Sequence, residues 1–222
     1  MKIFLDTADV DLIHKHFTTG LIDGVTTNPT LIRKSGRNPE DVYQELKDLG
    51  VKDISMEVVG DSTVMILEGR RLSQKFGECC TVKVPCTYDG LLACRELSRE
   101  LIKVNVTLIF DAAQAVLAAK AGATYVSPFV GRLDDNSQEG LQCIKDISQV
   151  YDSQCVHETE ILSASIRDVK SVSKSFTNGA HIVTMPPSIF EKMYNHILTE
   201  KGLELFDKDQ AEVVKRLDGV FQ

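Results

Sequence analysis

Residues 80–109 read CTVKVPCTYDGLLACRELSRELIKVNVTLI, and the hydrophobic pattern changes its period twice along them. Cys80–Val84 is β-rich, Tyr88–Ile102 spaces its apolar residues like one face of a helix, and Val104–Ile109 returns to alternation. Strand, helix and strand in this order make a βαβ unit, whose two strands run parallel because the helix is the crossover.

The alternation continues in both directions. Further candidate strands are Lys2–Asp6, Leu21–Thr26, Asp53–Val58, Thr124–Ser127, Glu160–Ala164 and His181–Thr184. Helical patterns over Asp9–Phe17, Pro39–Leu49, Ser62–Phe76, Ala112–Ala121, Gln138–Tyr151, Ser165–Phe176 and Ser188–Ile197 lie between and after them. Several stop at a glycine (Gly50, Gly77, Gly122), as helix C-termini do. Eight strands predict an α/β fold, a single (β/α)8 TIM barrel. An open doubly wound sheet is the competing topology, but no G-x-G-x-x-G follows the first strand and no G-x-x-x-x-G-K-[ST] occurs. A ninth helical stretch, Lys208–Leu217, falls outside the eight-fold count and is expected to close a barrel end or pack on a neighbouring subunit.

The 222 residues accommodate one such barrel, which needs at least about 200. Residues 1–222 are therefore expected to form one domain, with 203–222 as a helical tail. Hydrophobic residues at 43% and charged residues at 26% are ordinary for a globular chain, and no apolar run approaches a membrane span. The start, Met1-Lys2-Ile3-Phe4-Leu5-Asp6, reaches an acid too early for a secretory signal, so a cytoplasmic location is expected. The formal charge of −7 and the lack of a basic run argue against nucleic-acid binding. Cys79, Cys80, Cys86, Cys94, Cys143 and Cys155 show no zinc spacing and are expected as free thiols. His14 and His16, two apart on a helix, and His157-Glu158 are read as structural, so neither a metal nor a cofactor is expected.

Residues two apart on a strand share a face, and polar residues gather at the C-terminal ends of these strands: Asp6, Thr26 with Asn28, Glu57, Lys83, Asn105 with Thr107, Ser127, and Ser163 with Ser165. In a barrel this end carries the active site. Ile3, Leu5, Val82, Val84, Val106 and Leu108 have the opposite parity and suit burial against helices. A lysine at a strand end can simply snorkel to water, but parity aims Lys83 inward beside Thr81, where desolvation favours the neutral amine. A neutral amine attacks ketones to give a Schiff base. Asp6 and Glu57, from other strands, would flank it and divide the proton transfers. Thr26-Thr27-Asn28-Pro29 can be explained by turn chemistry alone, and exposed arginines are usually only solvated. Yet Arg132 and Arg167, each following a strand, together with Ser165 near a helix N-terminus, suggest one phosphate pocket.

The same residues resemble the transaldolase family over about residues 1–190. The resemblance rests on Phe4-Leu5-Asp6-Thr7, Gly24-Val25-Thr26-Thr27-Asn28-Pro29, Lys83-Val84-Pro85, Asn105-Val106-Thr107-Leu108, Ala112-Ala113-Gln114-Ala115, Ser127-Pro128-Phe129-Val130-Gly131-Arg132 and Ala164-Ser165-Ile166-Arg167. The length is similar to that of the small-subunit branch, which also contains fructose-6-phosphate aldolases. Aldolases of that branch typically carry Gln in place of Glu57, Tyr in place of Phe129 and Lys in place of Arg167, and lack the Asn105-x-Thr107 form, so the resemblance implies transaldolase over aldolase.

It further implies Lys83 as the Schiff-base lysine, Asp6 as the proton acceptor for the C4 hydroxyl, and a shuttling water on Glu57 and Thr107. Thr26, Asn28, Asn105, Ser127 and Phe129 would surround the three-carbon unit, and Arg132, Ser165 and Arg167 would hold the phosphate. Sugar phosphates are the partners implied, with a homo-oligomer that exchanges a helix between neighbours in a decamer of two pentameric rings. A lyase that releases free dihydroxyacetone and a non-catalytic sugar-phosphate-binding barrel are the alternatives. Cys155–Glu160 and the Cys79-Cys80 pair depart from the family pattern, and the tail after Gly202 matches it only loosely.

Overall fold

The computed structural model describes residues 1–220, with the side chains described as far as Arg216. Eight parallel strands close on themselves in sequence order: β1 Lys2–Asp6, β2 Gly24–Thr26, β3 Ile54–Glu57, β4 Cys80–Pro85, β5 Val104–Ile109, β6 Tyr125–Pro128, β7 Glu160–Ser163 and β8 Ile182–Met185. Around them run α1 Val10–Phe17, α2 Pro29–Ser35, α3 Pro39–Asp48, α4 Ser62–Phe76, α5 Tyr88–Arg99, α6 Ala112–Lys120, α7 Val130–Asp135, α8 Gly140–Ser153, α9 Val169–Thr177, α10 Pro187–Tyr194 and α11 Ile197–Val220. The fold is the expected (β/α)8 barrel with an additional C-terminal helix.

The helices start where a short polar side chain can take an orphan amide. Asp9, Asn28, Asn38, Asp61, Thr87, Asp111 and Asp168 each accept a backbone N–H from the first turn of the helix that follows, a contribution of about 1 kcal/mol each. Inside, Phe4, Tyr125, Leu162, Ala164 and Ile182 pack together in the barrel's lumen. Gly24 makes room for this layer: a Cβ there would come within 2.7 Å of the Phe4 ring. Below, Asp53 is buried and accepts from Thr81 Oγ1, Lys103 Nζ and Tyr125 OH, each at 2.9 Å, closing the N-terminal end with one saturated carboxylate. Leu5, Val82, Val84 and Val106 point outward into the main core beneath the helices.

Several boundaries differ from the sequence reading. Two short helices, α2 and α7, follow β2 and β6 where the sequence showed no helical pattern. The pattern over Ser165–Phe176 begins its helix only at Val169, because Asp168 is the capping residue; Ser165 sits in the preceding loop with φ of 60°. Leu108 breaks the expected parity: the β5–β6 register shifts between Val106 and Ile109, Leu108 has φ of 59°, and Ile109 takes the buried place instead. The last helix starts at Ile197, not Lys208. Residues 221–222 of the expected tail lie outside the described residues.

All six cysteines are free. Burial pushes the Cys80 thiol up to about 12 and those of Cys94 and Cys143 to about 11, so these stay protonated packing groups. His16 is buried against Phe190 of α10. No helix among the described residues is long and apolar enough to cross a membrane.

Candidate active site

Register fixes the level at which the polar side chains meet. Glu57 on β3 pairs with Lys83 on β4, which pairs with Asn105 on β5, while Asp6 on β1 pairs with Thr26 on β2. Because all have inward parity at the C-terminal strand ends, they converge on the barrel mouth. There a cup of about 110 Å³ is lined by Asp6, Thr26, Asn28, Lys83, Thr107, Ser127, Phe129, Arg132 and Ser165, with Leu162, Ala164 and Thr184 completing the wall.

Lys83 is 4% exposed and faces inward beside Glu57, as the sequence reading expected. Its Nζ lies 2.9 Å from Glu57 Oε2 and donates to the carbonyl of Thr27 at 3.0 Å. Removing one partner of such a pair would strand a buried charge, so each holds the other in place. The Thr27 carbonyl is itself fixed: its residue is fully buried, and its Oγ1 donates to the Ser55 carbonyl at 2.9 Å and lies 3.3 Å from the Tyr43 hydroxyl.

Across the cup, Thr26 Oγ1 donates to Asp6 Oδ1 at 2.8 Å. A hydroxyl has one hydrogen to give, so in the 2.6 Å contact between Thr26 and Thr184 it is Thr184 that donates. Burial pushes the Asp6 carboxyl above its ordinary value; the attraction of Lys83 and the Thr26 hydrogen bond oppose this, and the nearby Glu57 adds to it. An acid displaced in that direction is better matched to exchange protons near neutral pH.

Asn105 is fully buried, and both ends of its amide are taken: Nδ2 donates to Ser55 Oγ at 3.1 Å and Oδ1 accepts from Ser127 Oγ at 2.7 Å. Its position is behind Ser127, whose oxygen lone pairs remain free for the cup. Asn28 caps α2 through Oδ1, which receives the Leu31 amide at 3.0 Å, so its Nδ2 is left to donate. Thr107 Oγ1 is buried without a hydrogen-bond partner, a costly state that a bound water or ligand oxygen would relieve.

The basic residues stand at the rim. The guanidinium of Arg132 lies over the Phe129 ring, 5.0 Å from its centroid, and Phe129 in turn meets Phe110 edge-on at 6.0 Å. Arg167 is half exposed and forks onto Asp135 of α7 through both terminal nitrogens; it stands beside the cup's wall, not in it. Gly131 closes the gap between these loops. Its amide donates to the Ser165 carbonyl at 3.1 Å, and a Cβ there would approach that oxygen to 2.2 Å. Ser165 thus enters the cup from a left-handed backbone position held by β-bridge neighbours Phe129 and Ala164, without a helix N-terminus behind it.

Thr27, Ser55, Tyr43 and Thr184 escaped the sequence reading. Thr184 has the same parity and strand-end position as Thr26 and was available to the same rule. Thr27 acts through its main chain, and Tyr43 comes from a helix, so neither leaves a mark in the strand alternation.

Comparison with known proteins places this arrangement. Residues 3–220 match the family described as Transaldolase/Fructose-6-phosphate aldolase. The chain is 51% identical over 212 residues to a "Probable transaldolase" of Caulobacter vibrioides (strain NA1000 / CB15N), covering 95% of this chain and 97% of that one. To a "Probable transaldolase" of Nitrosopumilus maritimus (strain SCM1) it is 50% identical, covering 96% of each. Among solved structures, flavocytochrome b2 with sulfite bound superposes with a TM-score of 0.62 at 12% identity over 84% of this chain; this chain spans only 56% of it, and the likeness is one of fold. With its lysine and two acids at the mouth of an eight-stranded barrel, the chain belongs to the transaldolase/fructose-6-phosphate aldolase family of enzymes.

Proposed function

We propose that this enzyme is a transaldolase, moving a dihydroxyacetone unit from sedoheptulose 7-phosphate to glyceraldehyde 3-phosphate, with erythrose 4-phosphate and fructose 6-phosphate as products, through a Schiff base on Lys83. The observation that carries the reading is the buried Lys83–Glu57 pair at 2.9 Å, whose lysine lines the same cup as Asp6. Glu57 takes a proton from the ammonium, the amine adds to the C2 carbonyl, and the proton returns to the departing oxygen as water leaves. The iminium is then the electron sink. Asp6 takes the C4 hydroxyl proton, the C3–C4 bond breaks, an aldose phosphate departs, and a three-carbon enamine stays on Lys83. In this reading Thr107, whose Oγ1 has no protein partner, and Glu57 hold a shuttling water, while Ser127, Asn28 and Thr26 surround the hydroxyls. Asn105 acts through Ser127.

Arg132, Ser165 and Arg167 receive the phosphate in this reading. Asp135 occupies two of the five N–H donors of Arg167, which leaves others for an anion. Holding the phosphate far from the broken bond supplies positioning, worth up to about 7–11 kcal/mol in well-oriented cases. Phe129 favours transfer over release: its ring, packed on Phe110 and covered by Arg132, offers no hydroxyl to order a hydrolytic water. The partners proposed are sugar phosphates and further copies of the chain. The described side chains of α11 are exposed apart from Gly202 and include Ile197, Leu198, Leu203, Leu205, Phe206, Val213 and Val214, which fits a helix that docks on a neighbour. Free cysteines fit the reducing cytoplasm.

The test supplies fructose 6-phosphate alone and then with erythrose 4-phosphate, following glyceraldehyde 3-phosphate, with borohydride trapping and peptide mapping in parallel. Acceptor-dependent turnover and an adduct on Lys83 are expected. Equal turnover without acceptor identifies the lyase instead, and no adduct with full activity in Lys83→Ala removes the Schiff base.

A further inference from the structure

Schiff-base formation liberates a water from C2 of the ketose inside a cup whose roughly 110 Å³ the sugar itself must occupy. The mouth is then blocked by the sugar, and the floor is closed by the Phe4 layer and the saturated Asp53 carboxylate. A second cavity meets the requirement. A groove of about 410 Å³ between α2, α3 and α4 runs inward past Ile32, Arg33, Tyr43 and Leu72 and ends on Glu57. Asn28 lines both cavities, and Lys83 of the cup is paired at 2.9 Å with Glu57 of the groove.

Resting on the Schiff-base reading above, we propose that this side groove is the water port of the enzyme, with Glu57 as the residue that hands water across. The chemistry balances without a co-reactant. Ketone and lysine ammonium become iminium and water: the nitrogen–carbon bond forms, the carbon–oxygen bond breaks, and the departing oxygen takes one proton from the attacking nitrogen and the one borrowed by Glu57. Glu57 makes that final transfer with the groove at its back, so the water emerges on the side the sugar does not fill. Hydrolysis of the product iminium draws a water inward along the same line. The groove walls suit transit over binding. Arg71 with Glu40 and Glu68, and Lys75 on the other oxygen of Glu40, form a charge-balanced cluster at the groove, beside the apolar Ile32 and Leu72.

The test is the enzyme-catalysed exchange of the carbonyl oxygen of fructose 6-phosphate with ¹⁸O-water, without acceptor. Exchange requires water to leave and re-enter at every cycle. Ile32→Trp and, at an exposed position less able to disturb folding, Arg33→Trp fill the groove from two points. Both are expected to slow exchange and acceptor-dependent turnover together by roughly tenfold, with KM for the ketose unchanged and the melting temperature retained. Ile32→Ala, which widens the groove, is expected to keep the parent's exchange rate. Parental exchange rates in a folded Arg33→Trp or Ile32→Trp protein overturn the port. Absence of exchange and of borohydride adduct in the parent enzyme instead overturns the Schiff base itself, so the two failures are distinguishable.

Discussion

Asp6 shows how a single side chain sets function against stability. Burial raises its carboxyl above the ordinary 3.8, so the folded chain binds this proton more tightly than the unfolded chain does. The penalty is therefore absent below the unfolded value, grows as pH rises toward the folded value, and is complete above it. Asp6→Asn removes the charge and can keep a bond to Thr26. It is expected to melt higher than the parent at pH 7, with the gap closing below about pH 4, while turnover falls on the order of 10²–10⁴-fold. A lower melting temperature at pH 7 would refute the account. Parity alone was enough to find Asp6, Glu57 and Lys83, because each projects along its strand normal. It could not foresee that Asn105, of the same parity, spends both ends of its amide on Ser55 and Ser127. Partners contributed by the main chain, such as the Thr27 carbonyl, are likewise silent in a list of side chains.

Elements were legible where their periodicity was long enough to be heard. All eight strands lie where alternation put them, give or take a few residues, whereas α2 and α7, at two turns or less, carry too few apolar positions to declare a period. The start of α9 was misplaced because Ser165 is polar and precedes a regular pattern, whereas Asp168 is the residue that caps the helix and Ser165, at positive φ, lies in the loop before it. α11 was cut short, being read only over Lys208–Leu217; Gly202 lies inside it, and glycine inside a helix costs only about 1 kcal/mol relative to alanine. The element-scale prediction concerns the junction of α7 with the loop after β7. Gly131→Ala forces a Cβ against the Ser165 carbonyl, so the two loops must part. We expect a loss of about 1–3 kcal/mol in denaturant unfolding and a several-fold rise in KM for the phosphorylated ketose. An unchanged KM would show that the junction does not organise the phosphate pocket.

At the scale of the whole molecule, length and alternation were sufficient for the barrel, since eight parallel strands with helical crossovers have few ways to satisfy every edge. The fate of α11 is not encoded in that arithmetic: the described apolar residues along it are exposed, and the proposed homo-oligomer is what would cover them. Ending the chain at His196 is expected to leave the barrel folded by circular dichroism while lowering the particle mass, measured by light scattering, to that of a single chain. A truncated protein with the parent's mass would assign the helix another role. The carboxylate that plugs the bottom of the barrel has its own consequence for traffic. Asp53, held by three donors, and the Phe4 layer above it fill the lumen below the cup, so the sugar enters and leaves by the mouth. In the proposed mechanism the aldehyde cleaved from the donor has to vacate before the next aldehyde can come in, so the order of exchange is imposed by architecture, and the lysine carries its three carbons alone in between.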